Sequence, residues 1–132
     1  GAGAPAAPAP SAEERARRAL QELAASGLWE KEEHAAYYLW LTNLLREYLE
    51  ARYDEPATAM TSGEVASLVR DREADLRVGA TVRTVLQRAD LVKFARTKPD
   101  SAEGPRDAEL VLAVVDATTP APLTAPTEGA AA

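Results

Sequence analysis

Hydrophobic positions recur at helical intervals along most of this chain, starting close to residue 11. Ser11 stands three residues before Glu14, the spacing of a capping box in which each side chain satisfies a free backbone N–H of the other residue. Ser26 and Gly27 end the segment, because glycine accepts the left-handed conformation that follows a helix. The apolar positions in between are mostly alanines: Ala16, Ala19, Leu20, Leu23 and Ala24. The pattern predicts a first helix with a narrow apolar side that packs against the rest of the chain.

The segment from Glu30 to Tyr53 has the strongest helical pattern. Its large apolar residues form two adjacent rows, Tyr37, Leu41, Leu44 and Tyr48 in one and Tyr38, Leu45 and Leu49 in the other. Trp40 widens this apolar side, and Pro56 ends the helix. Three acids fall in the predicted first turn, where the helix dipole favours negative charge: Glu30, Glu32 and Glu33. The pattern predicts the central core helix, with Leu28 and Trp29 folding back onto it.

Two further helices are predicted between residues 61 and 96. Thr61 and Glu64 have the spacing of a second capping box, and the helix that they begin runs through Val65, Leu68 and Val69. Asp75 is a candidate cap for the next helix, whose apolar positions are Leu76, Val78, Val82, Val85, Leu86 and Ala89. Gly79 costs a helix about 1 kcal/mol relative to alanine, so it marks either the helix start or a close helix contact. Residues 90–96 either continue this helix or form a short strand.

The last patterned segment runs from Pro105 to Asp116. Its apolar residues, Leu110, Val111, Val114 and Val115, suit a helix with Pro105 in the first turn, and the valines leave a strand as the alternative. We therefore predict an all-α fold, a compact bundle of four to five helices over residues 11–116. Residues 1–10 and 117–132 consist almost only of Ala, Pro, Gly and Thr, and we predict a disordered linker and a disordered tail there.

The residue inventory excludes most classes of active site. The chain has 132 residues, no cysteine and one histidine, so disulfides, thiolate chemistry and sites with several histidines are excluded. His34 with Glu30 and Glu33 falls short of a typical metal site, and no G-x-S-x-G motif offers a nucleophile for which His34 could act as base. The chain also lacks a glycine-rich phosphate loop and an apolar run of about 20 residues that could span a bilayer. We predict that the protein is not an enzyme and binds no cofactor and no metal.

Charge is unevenly distributed along the chain. The formal net charge of -6 disfavours sequence-independent binding to nucleic acid. Residues 30–55 contain seven acids and three bases, whereas residues 70–98 contain eight bases and four acids. The alternative function is therefore a helix-turn-helix or winged-helix DNA-binding regulator, with residues 61–72 and 78–89 as its two helices and Arg77, Arg83 and Arg88 on the second. A long polar link and few Asn and Gln residues to read base edges weaken this alternative.

A set of short motifs between Tyr37 and Arg96 resembles a bacterial domain of unknown function. The motifs are Leu45–Glu50 with Arg52–Tyr53, Pro56–Ala57, Met60–Thr61 with Glu64, and Ala89–Ala95. In that family the domain forms the cytosolic part of small inner-membrane proteins and the C-terminus of BatD-like proteins. Their genes usually lie beside those of MoxR-type AAA+ ATPases and von Willebrand factor A domain proteins, in Bat-type clusters. The chain has Tyr53 where the family prefers phenylalanine.

The resemblance implies a non-enzymatic protein-interaction domain of a membrane-anchored component of a Bat-type system. Its location would be the cytoplasmic face of the bacterial inner membrane, and its partner the MoxR-type ATPase or the A-domain protein. The resemblance also implies a transmembrane segment before residue 1, with residues 1–10 as the linker, and a sequence that begins with glycine rather than methionine fits this expectation. The membrane would be contacted only through that tether, and neither nucleic acid nor a small-molecule substrate is expected as a ligand.

The candidate interaction site lies in the basic part of the resembling region. We predict that Arg83, Arg88, Lys93 and Arg96 form a basic surface for an acidic partner protein. Asp90, Lys93 and Arg96 are spaced three apart, so they would line one helix face, with Leu91 and Phe94 on the opposite, buried face. In the alternative interpretation the charges are structural, and ion pairs between helices form among Asp90, Lys93, Arg46 and Glu50.

Overall fold

The computed structural model describes residues 8–120, and this part of the chain forms five α-helices. They are α1 (Ala12–Ala25), α2 (His34–Tyr53), α3 (Ser62–Arg72), α4 (Leu76–Phe94) and α5 (Glu103–Thr118), with one 3-10 turn at Ala57–Ala59. The predicted all-α bundle is confirmed, and no strand occurs between residues 8 and 120. The predictions of disorder for residues 1–7 and 121–132 lie outside the described residues.

Helix α2 is the centre of the core, as predicted. It packs against α1, α4 and α5, while α3 packs on α4 and α1 on α5. Both apolar rows of α2 are buried, and the residues from that helix in the core are Tyr37, Tyr38, Leu41, Leu44, Leu45, Tyr48, Leu49 and Tyr53. Because the side chains of α2 fill the middle of the bundle, the other helices expose only their outer faces to solvent.

The start of α2 differs from the prediction. The helix begins at His34, and the acids expected in its first turn lie in the turn before it, with Glu32 in the left-handed conformation (φ 58°). The backbone N–H of Glu33 donates to the carbonyl of Leu28 at 2.9 Å and closes this turn. The turn brings Trp29 back onto α2, where its ring centroid lies 4.9 Å from that of Tyr37. The predicted return of Trp29 is therefore confirmed, and the tight turn that it requires displaces the helix start.

Helix α2 ends before Pro56 is reached, and Arg46 holds the turn that follows. Asp54 adopts the left-handed conformation (φ 53°) and caps the helix two residues before the proline. Arg46 donates from Nη1 to the carbonyls of Ala57 at 3.0 Å and Met60 at 2.5 Å. These charge-assisted bonds hold the 3-10 turn against the side of α2.

Helices α3 and α4 form an antiparallel hairpin with a link of only residues 73–75. The predicted capping box of Thr61 and Glu64 is present with both of its bonds, and Asp75 caps α4 as expected. Gly79 lies inside α4, where an added Cβ would lie 3.2 Å from the Cα of Arg70 in α3. Of the two roles predicted for this glycine, the close helix contact is therefore correct.

Helix α4 continues through residues 90–94 rather than changing to a strand. Its core face consists of Val78, Val82, Val85, Leu86, Ala89 and Val92. The expected burial of Leu91 and Phe94 is wrong, because their side chains are 53% and 79% exposed. Leu76, also assigned to the apolar face, is 68% exposed. The valines on the core side fill the space against α2 and α5, so these three larger side chains lie on the solvent side.

The last segment forms a helix, α5, rather than a strand. This helix docks against the turn before α2. Pro105 occupies its first turn, and the indole of Trp29 packs directly on Gly104. The indole Nε1 donates to the carbonyl of Ser101 at 2.8 Å. At its other end α5 extends two residues past the predicted boundary at Asp116, because Thr118 is buried beside the Tyr48 hydroxyl at 2.8 Å.

Candidate protein-interaction surface

The four bases predicted to form one surface do not share a face of α4. Arg83, Arg88 and Lys93 follow one another at intervals of five residues, and each step rotates the side chain by about 140° around the helix axis. Arg96 lies beyond the end of the helix in the left-handed conformation (φ 53°). The structure therefore separates the four bases into different environments.

Arg88 pairs with a buried carboxylate. Its Nε and Nη2 donate to the two oxygens of Asp107 at 2.8 and 2.9 Å, and Asp107 is fully buried. The hydroxyl of Tyr38 donates to the same carboxylate at 2.5 Å. The hydrogen bond to Asp107 raises the pKa of Arg88, and burial together with the bond to Asp107 raises the pKa of Tyr38. Arg88 thus neutralises a charge inside the bundle and is not a free base of a binding surface.

Lys93 lies on the side of α4 that faces α2 and α3. Burial lowers the pKa of its ammonium group, and the nearby Arg46 lowers it further, whereas Asp90 acts in the opposite direction. Its Nζ lies 5.6 Å from the centroid of the Phe94 ring, within cation–π distance. Lys93 is therefore half-buried beside other cationic and apolar groups.

The predicted ion pairs among Asp90, Lys93, Arg46 and Glu50 are not formed within the described residues. Instead, Ser62 connects two of these groups: Arg46 donates to its hydroxyl at 3.3 Å, and that hydroxyl donates to Asp90 at 2.9 Å. Glu50 accepts from the hydroxyl of Thr58 at 2.8 Å. The predicted ion pairs are therefore wrong, and Arg46, Asp90 and Glu50 are instead held through the hydroxyl groups of Ser62 and Thr58.

Arg83 and Arg96 are exposed and form no ion pair with any residue between 8 and 120. Arg83 lies at the rim of a groove of about 280 Å³ between α3 and α4, and Arg70 of α3 lines the same groove. The other lining residues are mostly small and include Gly63, Ala66, Ser67, Gly79 and Ala80. Arg83 and Arg70 thus border a shallow surface made mostly of small side chains.

An exposed stripe runs along the full length of α4 beside this groove. Its members recur at intervals of three or four residues, and all are exposed: Leu76, Ala80, Arg83, Gln87, Leu91 and Phe94. At 1.5 Å per residue the stripe is about 27 Å long. We call these six residues the α4 stripe. Sequence reasoning missed it because α4 carries apolar residues on two sides, and the periodicity does not say which side faces the core.

The single histidine packs against an aromatic ring. The ring of His34 lies with its centroid 4.6 Å from that of Trp29, at the start of α2. Within residues 8–120 no group of three or more His, Cys, Asp and Glu side chains could hold a metal ion. The buried carboxylate within residues 8–120 is instead Asp107, which the sequence analysis did not single out. Its position four residues before Val111, on the apolar face of α5, is the signal that could have identified it.

Comparison with known proteins adds no family assignment. No protein-family model matches this chain, and no curated protein or solved structure matches it. Between residues 8 and 120 no helix has the length and apolar character to cross a membrane. The resemblance to the Bat-associated domain rests on the motifs between Tyr37 and Arg96.

Proposed function

We propose that this domain is a non-enzymatic protein-interaction module of a membrane-anchored component of a Bat-type system. Its partner would be a MoxR-type AAA+ ATPase or a von Willebrand factor A domain protein at the cytoplasmic face of the inner membrane. One observation carries the proposal: the motif Ala89–Ala95, part of the resemblance, exposes Leu91 and Phe94 instead of burying them in the core.

Within residues 8–120 the exposed surfaces of Leu91 and Phe94 gain no burial in the core, although the Phe94 ring lies 5.6 Å from the Nζ of Lys93. Burying a leucine or phenylalanine side chain contributes about 1.5–3 kcal/mol relative to leaving it in water. Single exposed apolar residues are common on protein surfaces, but Leu91 and Phe94 lie one helical turn apart and share the α4 stripe with Leu76. A partner that covers this side of α4 would gain the burial free energy that the monomer forgoes.

The DNA-binding alternative fits the hairpin less well. The two helices of a helix-turn-helix cross at about 90–120°, with only part of each in contact. Here α3 and α4 touch near both ends, at Ser62 with Asp90 and at Arg70 with Gly79, so they lie side by side. Of the three bases predicted for the second helix, Arg77 pairs with Asp75 and Arg88 with Asp107. A gel shift at low ionic strength tests this alternative, and we expect no shifted band.

Direct binding tests the proposed function. The 132-residue chain would be immobilised, and a purified MoxR-type ATPase and a purified A-domain protein from the same genome would be passed over it separately. We expect saturable binding of at least one of them, with a dissociation constant in the micromolar range typical of transient complexes. If neither protein binds while circular dichroism shows the helical fold intact, the proposed function is wrong.

A further inference from the structure

We infer that the α4 stripe and the adjoining α3–α4 groove bind an acidic amphipathic helix of the partner protein. The inference rests on the proposed function, because it assumes that a protein partner exists. It adds the surface that is used and the chemistry of the segment that binds there. Shape, apolar anchors and charge each support it.

The shape of the surface fits a helix. The α4 stripe repeats every three to four residues, which is the spacing at which one helix presents side chains to another. The small side chains of the groove allow a second helix to approach closely, and an added Cβ at Gly63 would meet no atom within 4 Å. Binding of an extended strand requires an open sheet edge, and residues 8–120 contain no sheet.

The apolar anchors lie at the two ends of the stripe. Leu76 is at the N-terminal end of α4, and Leu91 and Phe94 are at the C-terminal end. A helix that contacts all three has to be about 18 residues long, or about 27 Å. We therefore expect apolar residues near both ends of the partner segment, in the manner of other helices that dock in grooves.

The bases along the stripe and the adjoining groove give this surface a positive charge. Arg83 lies in the middle of the stripe, Arg70 lines the groove from α3, and Arg96 follows the end of α4. The nearby acid Asp75 is already engaged by Arg77 at 3.0 Å, and Asp71 lies 4.0 Å from Arg70. Arg83 and Arg96 have no acidic partner among the described residues, so acidic side chains in the middle and at one end of the partner segment would complement them.

A basic surface with apolar residues is also found on helices that lie on anionic membranes. Such helices present a broad, continuous apolar face to the lipid. The α4 stripe instead has Ala80, Arg83 and Gln87 between its apolar ends, and α3 stands beside it as one wall of a groove. These features favour a protein helix, and membrane binding becomes an outcome that the experiment has to distinguish.

The experiment compares matched variants in the binding assay of the proposed function. Leu91→Ala, Phe94→Ala and Arg83→Glu change the α4 stripe. Leu39→Ala on α2 removes a side chain that is 51% exposed, and Arg18→Glu on α1 reverses an exposed charge, so both serve as controls. We expect each stripe variant to weaken binding about tenfold or more, the controls to bind like the wild type, and all five to keep the wild-type melting temperature.

Hydrogen–deuterium exchange of the complex then identifies the partner segment. We expect protection of α4 and of one helical segment of the partner with excess Asp and Glu, and weaker binding of the wild type at higher salt. Wild-type binding that is unaffected by the stripe variants overturns the inference and leaves the proposed function standing. Protection of a non-acidic or non-helical partner segment also overturns it.

Two further results would replace the partner helix with another occupant. Wild-type binding to phosphatidylglycerol vesicles that Phe94→Ala abolishes would assign the stripe to a membrane. Self-association in sedimentation that the same variant abolishes would assign it to a second copy of this chain. Failure of the wild type to bind either protein overturns the proposed function and this inference with it.

Discussion

At the scale of single residues, Gly104 shows how one position can depend on a distant one. The indole of Trp29 packs against the backbone of Gly104 so closely that an added Cβ would overlap the six-membered ring. Gly104 lies in the first turn of α5, where helix propensity alone favours alanine. The preference for glycine therefore comes from tertiary packing and runs against the local preference of the helix.

We predict that Gly104→Ala lowers the free energy of unfolding by about 1–3 kcal/mol, because the overpacked indole has to move. Gly63→Ala is the matched control, since it makes the same change in the first turn of α3, where an added Cβ meets nothing within 4 Å. That variant should be neutral or more stable by up to about 1 kcal/mol. Urea unfolding followed by circular dichroism measures both, and equal effects would contradict the packing explanation.

At the scale of elements, Asp107 joins three helices. Its carboxylate lies on α5, accepts two bonds from Arg88 on α4 and accepts one from Tyr38 on α2. An isolated buried charge is strongly unfavourable, whereas a paired one is close to neutral relative to an apolar core. The pair therefore fixes how these helices meet more than it adds to stability.

We predict that Arg88→Met lowers the free energy of unfolding by about 3 kcal/mol, because it leaves the Asp107 carboxylate buried without its cation. Combining it with Asp107→Asn should recover most of this loss, since the amide is neutral and its oxygen still accepts from Tyr38. Chemical denaturation of the single and double variants measures the difference. A double variant as unstable as the single one would show that the methionine, not the lost pairing, is the cause.

The sequence predicted the elements well where the signal was local. Thr61 with Glu64 and Asp75 marked the starts of α3 and α4, and the apolar rows identified α2 as the core helix. These features depend only on side chains within one or two helical turns of each other. The helix content and the order of the elements could therefore be read from the sequence.

The predictions were wrong where a contact between residues distant in sequence determines the local structure. The acids before α2 suit a helix start, but the return of Trp29 to the core requires a turn there instead. On α4 the valines and the pair Leu91 and Phe94 are both apolar at helical spacing, and only the neighbouring helices determine which side is buried. The assignment of Arg88 to the predicted basic surface was wrong for the same reason, because its partner Asp107 is 19 residues away on another helix.

At the scale of the whole molecule, several tyrosines connect stability to alkaline pH. Burial raises the pKa of Tyr37 to about 12, with further contributions from Asp107 and Glu30. Burial also raises the pKa of Tyr38 and of Tyr53, which donate to Asp107 and Glu73 respectively. An ordinary tyrosine titrates near pH 10, so the unfolded chain loses these protons at lower pH than the folded one. Folding therefore favours the neutral phenols.

We predict that stability is unaffected by these groups below about pH 10 and falls as the pH rises above it, because only the unfolded state readily ionises there. Tyr37→Phe should show a shallower fall above about pH 10, since one raised pKa is removed. The free energy of unfolding between about pH 8 and pH 12, with tyrosinate absorbance in parallel, measures both. A fall of equal slope in the variant would contradict this assignment.

The position of Trp29 also gives the molecule its own optical reporter. The chain has two tryptophans, and Trp40 lies on the outer side of α2 beside Leu28 and Leu39. With Trp40 replaced by phenylalanine, the emission of Trp29 would report the moment when its indole settles on Gly104 and bonds to Ser101, more than 70 residues away along the chain. Stopped-flow fluorescence could then show whether α5 docks before or after the remaining helices during folding.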